Sequence, residues 1–329
     1  MKKNSLFSIM IATVILFSSC ATTVSVKKIQ PANFDIKDAK SIAILPFETS
    51  EPSSLNFSDN INLFLGILDA IVSYDSTINE QKYIASYLED RIADGIIESN
   101  HFQLIDGRAV KSALSKGLPS PADIYIVGYI HNFESDIDKD YEKDEEDGEV
   151  EVSYQREVSY NISYQVINAK THVVLGNKQE YVSGYSSRTS HRHNLESAFD
   201  ITQSRINSVA RKVIYNIQPH TVAVSYTLLK DKSDIIEMEL ANEYAKSGNL
   251  QGAKETFLEV YEDTGLYEAG YNAAFLMQAL EEYYDAEQLM QQIVDKTYEK
   301  QAVKALSEIK REMKAQERVS EQLDSDFIN

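Results

Sequence analysis

The chain has 329 residues, of which 43% are hydrophobic and 20 are tyrosines, so it can build the cores of two domains and is not a disordered acidic polymer. Its formal net charge is −19 at pH 7, and no basic patch offsets this charge. Because such a surface repels phosphates, we expect the folded body to bind neither nucleic acid nor anionic lipid headgroups.

The N-terminal segment has the order of a secretory signal. Two lysines precede the apolar run 6–17, which ends just before Ser18-Ser19-Cys20. The run is shorter than the roughly 20 residues that cross a bilayer. A cysteine directly after small residues resembles the lipobox of bacterial lipoproteins, where the thiol receives diacylglycerol and the chain is cut before it. The resemblance implies a signal peptide over residues 1–19 and a lipid on Cys20.

Lipidation of Cys20 would tie the protein to a membrane, since two or more acyl chains make attachment stable. Cys20 is the only cysteine, so no thiol would remain for disulfide, zinc or nucleophile chemistry. Ala21 is not the acidic residue that retains enteric lipoproteins at the inner membrane. We therefore expect a location in the cell envelope, at the outer membrane and facing the periplasm, with surface exposure as the open alternative.

The region from Cys20 to residue 230 is predicted as a tether followed by an α/β domain. Residues 20–40 show no clear period and are predicted as the tether. The later elements are a strand at 41–47, a polar loop at 48–60, an apolar helix or lid at 61–72, a helix at 76–100, a strand at 102–106, a short helix, a strand at 122–131, strands at 152–166 and 173–182, a helix at 194–217 and a closing strand at 220–229. This order predicts an α+β domain over 41–230, with one mixed sheet and long helices packed on it.

Residues 136–151 carry ten carboxylates and are predicted as a solvated loop. Acidic residues alternate here in a way that suggests Ca²⁺ binding. An EF-hand loop beginning at Asp136 would need glycine at its sixth position, where Tyr141 stands, so that motif is absent. A loose divalent-ion site stays open as an alternative to the plain loop.

Other candidate sites are few. His191 and His193 could bind a transition metal with Glu196 as a further ligand, although a surface loop is the simpler interpretation. Motifs of serine hydrolases, P-loops and zinc proteases do not occur. We therefore expect no enzyme, no metal and no cofactor. A hydrolase of envelope polymers, using paired carboxylates, is the enzymatic alternative.

From residue 233 the pattern is purely helical and repeats. Leu240, Ala241, Tyr244, Gly248, Ala253 and Phe257 recur 33 residues later as Ala273, Ala274, Met277, Glu281, Ala286 and Met290. The spacing of small residues resembles tetratricopeptide repeats, with Glu281 in place of the turn glycine. We predict an all-α repeat domain over 233–323, closed by a capping helix that begins near Gln301, and a tail over 324–329.

The α/β half is similar to the N-terminal domain of the lipoproteins CsgG and LpoB. The similarity lies in IAILPF at 42–47, HFQLI at 101–105, ADIYIVGYI at 122–130 and YQVINAKT at 164–171. It implies a periplasm-facing domain that binds other proteins and catalyses nothing. CsgG also inserts two hairpins per subunit to form a pore. In this chain the acidic stretch 136–151 occupies the position of the first of these hairpins. Each charge near a bilayer midplane costs about 2–4 kcal/mol, so pore formation is disfavoured.

Taken together, the sequence predicts a lipid-anchored, non-catalytic scaffold or assembly factor, with the sheet domain near the membrane. The repeat domain would offer a groove to a protein of the envelope. The candidate partner-binding residues are Glu237, Tyr244, Tyr271, Asn272, Phe275 and Gln278. The alternative for the aromatic members, Tyr244 and Phe275 above all, is that they belong to the core. The alternative is a structural or pore-forming subunit of an outer-membrane secretion apparatus, and the oligomeric state is left open.

Overall fold

The computed structural model describes residues 22–36, 39–49, 76–143, 150–231 and 233–324. The strands are β1 (Thr23–Gln30), β2 (Ser41–Ile44), β3 (Gln103–Ile105), β4 (Ile124–Lys143), β5 (Val150–Asn168), β6 (Val174–Tyr185) and β7 (His220–Thr227). The α-helices are α1 (Ser76–Ser99), α2 (Gly107–Ser115), α3 (Ala198–Ile217), α4 (Ile236–Lys246), α5 (Leu250–Thr264), α6 (Tyr267–Ala279), α7 (Tyr283–Thr297) and α8 (Lys300–Asp324). The protein is thus mixed α/β. The predicted signal peptide, the element at 61–72 and the last five residues lie outside the described ranges.

The chain divides into two compact units, each assembled from two separate stretches. The sheet unit contains Gln30–His220 together with the residues from Arg318 onward. The helical unit contains the described residues up to Ile29 together with Thr221–Glu317. Both units therefore join residues from opposite ends of the chain.

The sheet unit is built on a five-stranded sheet with the order β3-β2-β4-β5-β6. Strand β2 runs parallel to β3 and β4, and the remaining neighbours are antiparallel. One sheet face packs under α1 and α3. Ile84, Leu88, Ile92 and Ile96 of α1 follow each other at four-residue spacing and are fully buried, as the sequence predicts. Gly95 lets α1 approach α3, because a Cβ there would lie 2.0 Å from Ile214 Cδ1.

The opposite face of this sheet carries a smaller core near the parallel strands. Val110 of α2 packs there with Tyr125 and Val127 of β4. Asp106 caps α2 by accepting a hydrogen bond from the Arg108 amide at 2.9 Å. The short helix predicted after the strand at 102–106 is therefore present, and it shields one end of the sheet.

The acidic stretch differs from its prediction as a loop. Strand β4 continues to Lys143 and pairs with β5 from Val150 onward, so most of the described part of 136–151 is a hairpin arm. Its carboxylates at Asp136, Asp138 and Asp140 are exposed. Charged side chains are compatible with strands when both faces meet water, because the backbone bonds are satisfied by the paired strand.

In the helical unit, the 33-residue repeat is present in the backbone. Helix α7 begins and ends 33 residues after α5. The turn before each of these helices has a residue with positive φ, Gly248 (84°) in the first and Glu281 (66°) in the second. The same holds at their C-terminal caps, where Gly265 (72°) is replaced by Tyr298 (56°). The second copy keeps the geometry of the first without its glycines.

The pairing of β1 with β7 differs from the prediction at both ends of the α/β domain. These strands form a separate two-stranded sheet in the helical unit, which we call the ribbon. The strand predicted to close the mixed sheet at 220–229 is therefore not part of it. The predicted tether over 20–40 contains β1. The alternation of β1 was not recognised because a lysine, Lys28, occupies one of its inward positions.

Within the described ranges, no helix has both the length and the apolar character required to cross a bilayer.

Replacing Tyr298 by glycine is expected to stabilise the protein by about 0.5–1 kcal/mol. A left-handed conformation costs an L-residue roughly 1–2 kcal/mol, and the glycine entropy cost is smaller. Tyr298 is 82% exposed, so its removal sacrifices little packing. Urea unfolding of the full chain measures the change. The matched control Gly265→Ala should destabilise by about 1 kcal/mol, and a loss of stability in Tyr298→Gly would contradict the interpretation.

Candidate functional site

The ribbon packs against the helices of its own unit through one face. Leu228 N donates a hydrogen bond to Thr22 O at 2.8 Å, at the start of β1 and the end of β7, so the two strands run antiparallel. Val24, Tyr226 and Leu228 are buried in the core formed with α6, α7 and α8. Lys28 points to the same side and is only 2% exposed. The buried part of the inward face of the ribbon thus combines Val24 and Tyr226 with one ammonium group, that of Lys28.

Lys28 uses its three N–H donors within the helical unit. Its Nζ donates to Glu312 Oε2 at 2.9 Å, to Tyr283 Oη at 3.0 Å and to the Gln278 main-chain oxygen at 2.6 Å. Gln278 lies in the last turn of α6, where carbonyl groups are free to accept and the helix dipole favours a cation. The ammonium also lies 5.0 Å from the centre of the Tyr226 ring and 4.8 Å from that of Tyr283.

The electrostatics of this lysine cluster are governed by burial. Loss of water lowers the pKa of Lys28, and the hydrogen bond and charge of Glu312 work against that shift. Glu312 is held in turn by Tyr226, whose hydroxyl donates to Oε2 at 2.8 Å. Burial, followed by the Glu312 charge, raises the pKa of Tyr226, so this hydroxyl stays protonated. The cluster is an enclosed network in which each charge has its partner.

The chemistry available to this network is restricted. A lysine with a lowered pKa can act as a nucleophile when substrate reaches it. Lys28 is enclosed by the ribbon and the helices, and its donors are directed at Glu312, Tyr283 and a helix carbonyl. The arrangement therefore holds the ribbon in place and does not offer an amine to solvent.

Two amide side chains bind the main chain of the ribbon and of the segment that follows it. Asn272 Oδ1 accepts from Leu229 N at 2.6 Å, and Asn272 Nδ2 donates to Leu229 O at 2.9 Å. Gln316 Nε2 donates to Ile29 O at 2.9 Å. Helices α6 and α8 therefore form hydrogen bonds with extended backbone at two points. These bonds add to those of the lysine cluster.

Four of the six residues predicted to bind a partner are buried in these contacts. Tyr271, Asn272, Phe275 and Gln278 of α6 are all buried. Gln278 binds Lys28 through its main-chain oxygen, and Asn272 binds the main chain of Leu229 just after the ribbon. The Phe275 ring lies edge-on to Tyr226 at 6.0 Å and next to Tyr271 at 4.5 Å. The chain thus supplies its own occupant for this part of the predicted groove.

The other two predicted residues lie on α4. Glu237 is exposed and Tyr244 is half-buried. Tyr244 follows Ile236 and Leu240 at four-residue spacing, and these two side chains are 77% and 44% exposed. Helix α4 therefore presents an apolar stripe, formed by Ile236, Leu240 and Tyr244, at its surface.

The residues that the sequence suggested as metal ligands make other contacts in the structure. The rings of His191 and His193 stack edge to face at 5.4 Å, and Glu196 accepts a hydrogen bond from Ser187 N at 2.8 Å. Asp140 of the acidic stretch pairs with Arg188 at 2.8 Å. In the ranges that the structure describes, no three His, Cys, Asp or Glu side chains form a group suited to a metal ion. Cys20, the predicted lipidation site, lies outside those ranges.

Sequence reasoning missed Lys28, Tyr226 and Glu312. The available signal was the alternation of Val24 and Val26 in β1, which ends at two consecutive lysines and so resembles a soluble segment. Lys28 and Glu312 are 284 residues apart, and nothing local in the sequence links them.

Removing the counter-charge is expected to expose the role of the cluster. Glu312→Ala should destabilise the protein by about 2–4 kcal/mol, because Lys28 would remain buried without its anion. The double variant Lys28→Met/Glu312→Leu should recover part of this loss, since it leaves no unpaired charge.

The matched control is Glu308→Ala in the same helix. Its partner Lys304 is 79% exposed, and surface pairs contribute about 1 kcal/mol or less. Denaturant unfolding monitored by circular dichroism measures all of these variants. Equal effects of Glu312→Ala and Glu308→Ala would contradict the assignment.

No protein-family model and no curated protein matches the sequence. Solved structures resemble parts of the chain weakly. The PelC dodecamer from Paraburkholderia phytofirmans is 13% identical, covering 60% of this chain and 98% of that chain, with a TM-score of 0.28. Lipoprotein GNA1162 from Neisseria meningitidis is 6% identical, covering 54% and 96%, with a TM-score of 0.26. A hypothetical protein from Chlamydia trachomatis is 14% identical, covering 54% and 96%, with a TM-score of 0.28. At these values the similarities assign neither a family nor a function.

Proposed function

We propose that the protein is a lipid-anchored, non-catalytic component of a bacterial cell envelope that binds a protein partner through its helical unit. In this proposal Cys20 carries the lipid at the outer membrane, with the body facing the periplasm. The two helical hairpins act as tetratricopeptide-like repeats. The partner is another envelope protein, and no cofactor takes part.

The anchor is supported by the order of the first twenty residues. A basic start, a short apolar run and two serines before the single cysteine form the pattern at which lipoprotein signals are cut and acylated. This pattern explains why a chain with one cysteine has it at this position.

A binding role is supported chiefly by the stripe on α4. Exposed aliphatic side chains at four-residue spacing, such as Ile236 and Leu240, form the kind of surface that a partner helix or peptide covers. Glu237 lies beside the stripe and adds a charge to its rim. The stripe replaces the ribbon-covered part of α6 as the surface open to a partner.

For the lysine cluster, a non-catalytic role is supported by how its two groups with shifted pKa values are used. Lys28 and Tyr226 have shifted pKa values, and both are committed to contacts with Glu312 inside the unit. Perturbed groups of active sites face a cleft where substrate can reach them. The contacts of Lys28 and Tyr226 with Glu312 fix the position of the ribbon on the helices.

The anchor is tested by growing cells with an alkyne fatty acid and purifying the mature protein. We expect the label on the product and its loss in Cys20→Ser. A mature product that is free of label and soluble without detergent would overturn the proposed anchor.

The binding surface is tested by placing a photo-crosslinking amino acid at Leu240 in intact cells. We expect one crosslinked product of fixed mass, which disappears when Ile236→Asp and Tyr244→Ala are added. The matched control carries the same crosslinker at Val303, which is also half-exposed but lies on α8. Equal crosslinking from both positions, or none from Leu240, would contradict a partner site on α4.

A further inference from the structure

We propose that the outer face of the ribbon, at its Thr23 end, is the surface on which the helical unit meets the lipid bilayer. This inference rests on the proposed lipid at Cys20. The surface consists of four exposed hydroxyl residues, Thr23 and Ser25 of β1 and Ser225 and Thr227 of β7, which we call the hydroxyl patch.

The first argument is covalent reach. Strand β1 begins at Thr23, three residues after Cys20. An extended chain spans at most about 3.3–3.6 Å per residue, so Thr23 lies within roughly 11 Å of the acylated cysteine. That length exceeds the headgroup layer of one leaflet, about 5–8 Å, by only a few ångströms, so Thr23 lies at or near the headgroup surface.

The second argument is that β1 cannot leave the helical unit to lengthen the connection. Val24 is buried in the core of the unit, four residues after Cys20. Lys28 is bonded to Glu312, Tyr283 and a carbonyl of α6. Releasing the strand would expose an apolar face and leave Glu312 without its cation, at a cost of several kcal/mol. The folded body therefore starts almost at the anchor.

The third argument is charge. The chain has 51 Asp and Glu residues, yet β1 (TVSVKKIQ) and β7 (HTVAVSYT) contain none. Beyond the hydroxyl patch, the outer face of β1 carries Lys27, which is exposed. An anionic membrane repels carboxylates and attracts a lysine by about 1 kcal/mol, so this face can approach headgroups without electrostatic penalty.

Helix α4 of the same unit shows the contrast. Its first turn contains Glu237 and Glu239, and Glu243 follows one turn later. Such a surface is suited to water or to a basic partner and not to anionic headgroups. The ribbon is thus the acid-free face next to the anchor, and hydroxyl side chains can bond to headgroup oxygens. This arrangement puts the helical unit at the bilayer, whereas the sequence suggested the sheet domain near the membrane.

The proposal is tested with full-length, lipidated protein reconstituted into vesicles of phosphatidylethanolamine and phosphatidylglycerol. In Ser25→Cys the new cysteine is the only free thiol once Cys20 is acylated, and it carries a fluorophore. Nitroxide groups on the lipid headgroups act as quenchers. We expect fluorescence at this position to fall by more than half when the quencher lipid is included.

The matched control inserts twenty Gly and Ser residues between Ala21 and Thr22. Such a linker has a root-mean-square span of about 25 Å, so quenching at position 25 should drop at least twofold. Circular dichroism of both proteins checks that the ribbon still folds.

The outcomes separate the two proposals. If fatty acid is incorporated but the label at position 25 is not quenched, the bilayer surface proposed here is wrong while the anchor stands. If no fatty acid is incorporated, the proposed function fails first. Protection of the Ser25→Cys thiol from labelling in intact membranes, combined with no quenching, would show that another protein covers the patch and would also overturn the proposal. Quenching that the insertion leaves unchanged would overturn the role of the short connection.

Discussion

A buried ammonium group must have an anion beside it. In the helical unit this requirement joins the first strand to the last helix. Lys28 enters from the first strand and Glu312 comes from the last helix, 284 residues later. The pair itself contributes little net stability, because desolvation opposes the Coulomb attraction. Its effect is on specificity, since any register of the ribbon that moves Lys28 away from Glu312 leaves two charges uncompensated. The ribbon therefore has one position on the helices, and the surface that it covers is not available to another peptide.

The parts of the fold that follow from local pattern were predictable. The four-residue spacing of Ile84, Leu88 and Ile92 specifies α1, and the 33-residue offset specifies the two helical hairpins. The partner of β7 was not predictable. A strand at 220–229 pairs equally well, on local grounds, with the mixed sheet or with a distant strand. The choice depends on Tyr226 and Leu228, which bury against helices that follow in the chain.

Of the candidate site, the helix residues were predictable from the sequence and the ribbon was not. The sequence placed Tyr271, Asn272, Phe275 and Gln278 on one helix, and the structure shows all four buried in contacts within the chain. It could not indicate what covers these residues, since β1 of the ribbon lies more than 200 residues earlier and has a lysine at an inward position, and the pairing of β7 with β1 has no local signal. The prediction of a loop for the acidic stretch was wrong for a different reason. Charge density argued for a loop, whereas in the hairpin arm the side chains of Asp136, Asp138 and Asp140 face solvent and gain pairs such as Asp140 with Arg188.

The position of Lys28 also sets an order for biogenesis. Strand β1 is the first of the described strands to be synthesised, and it reaches its stable place only after Glu312 has followed it. Until then β1 keeps an unpaired edge and its valines meet water, a state that favours chaperone capture over premature folding. Contacts so distant in sequence form slowly. Any modification next to this strand during synthesis would therefore take place on a chain whose helical unit is still incomplete.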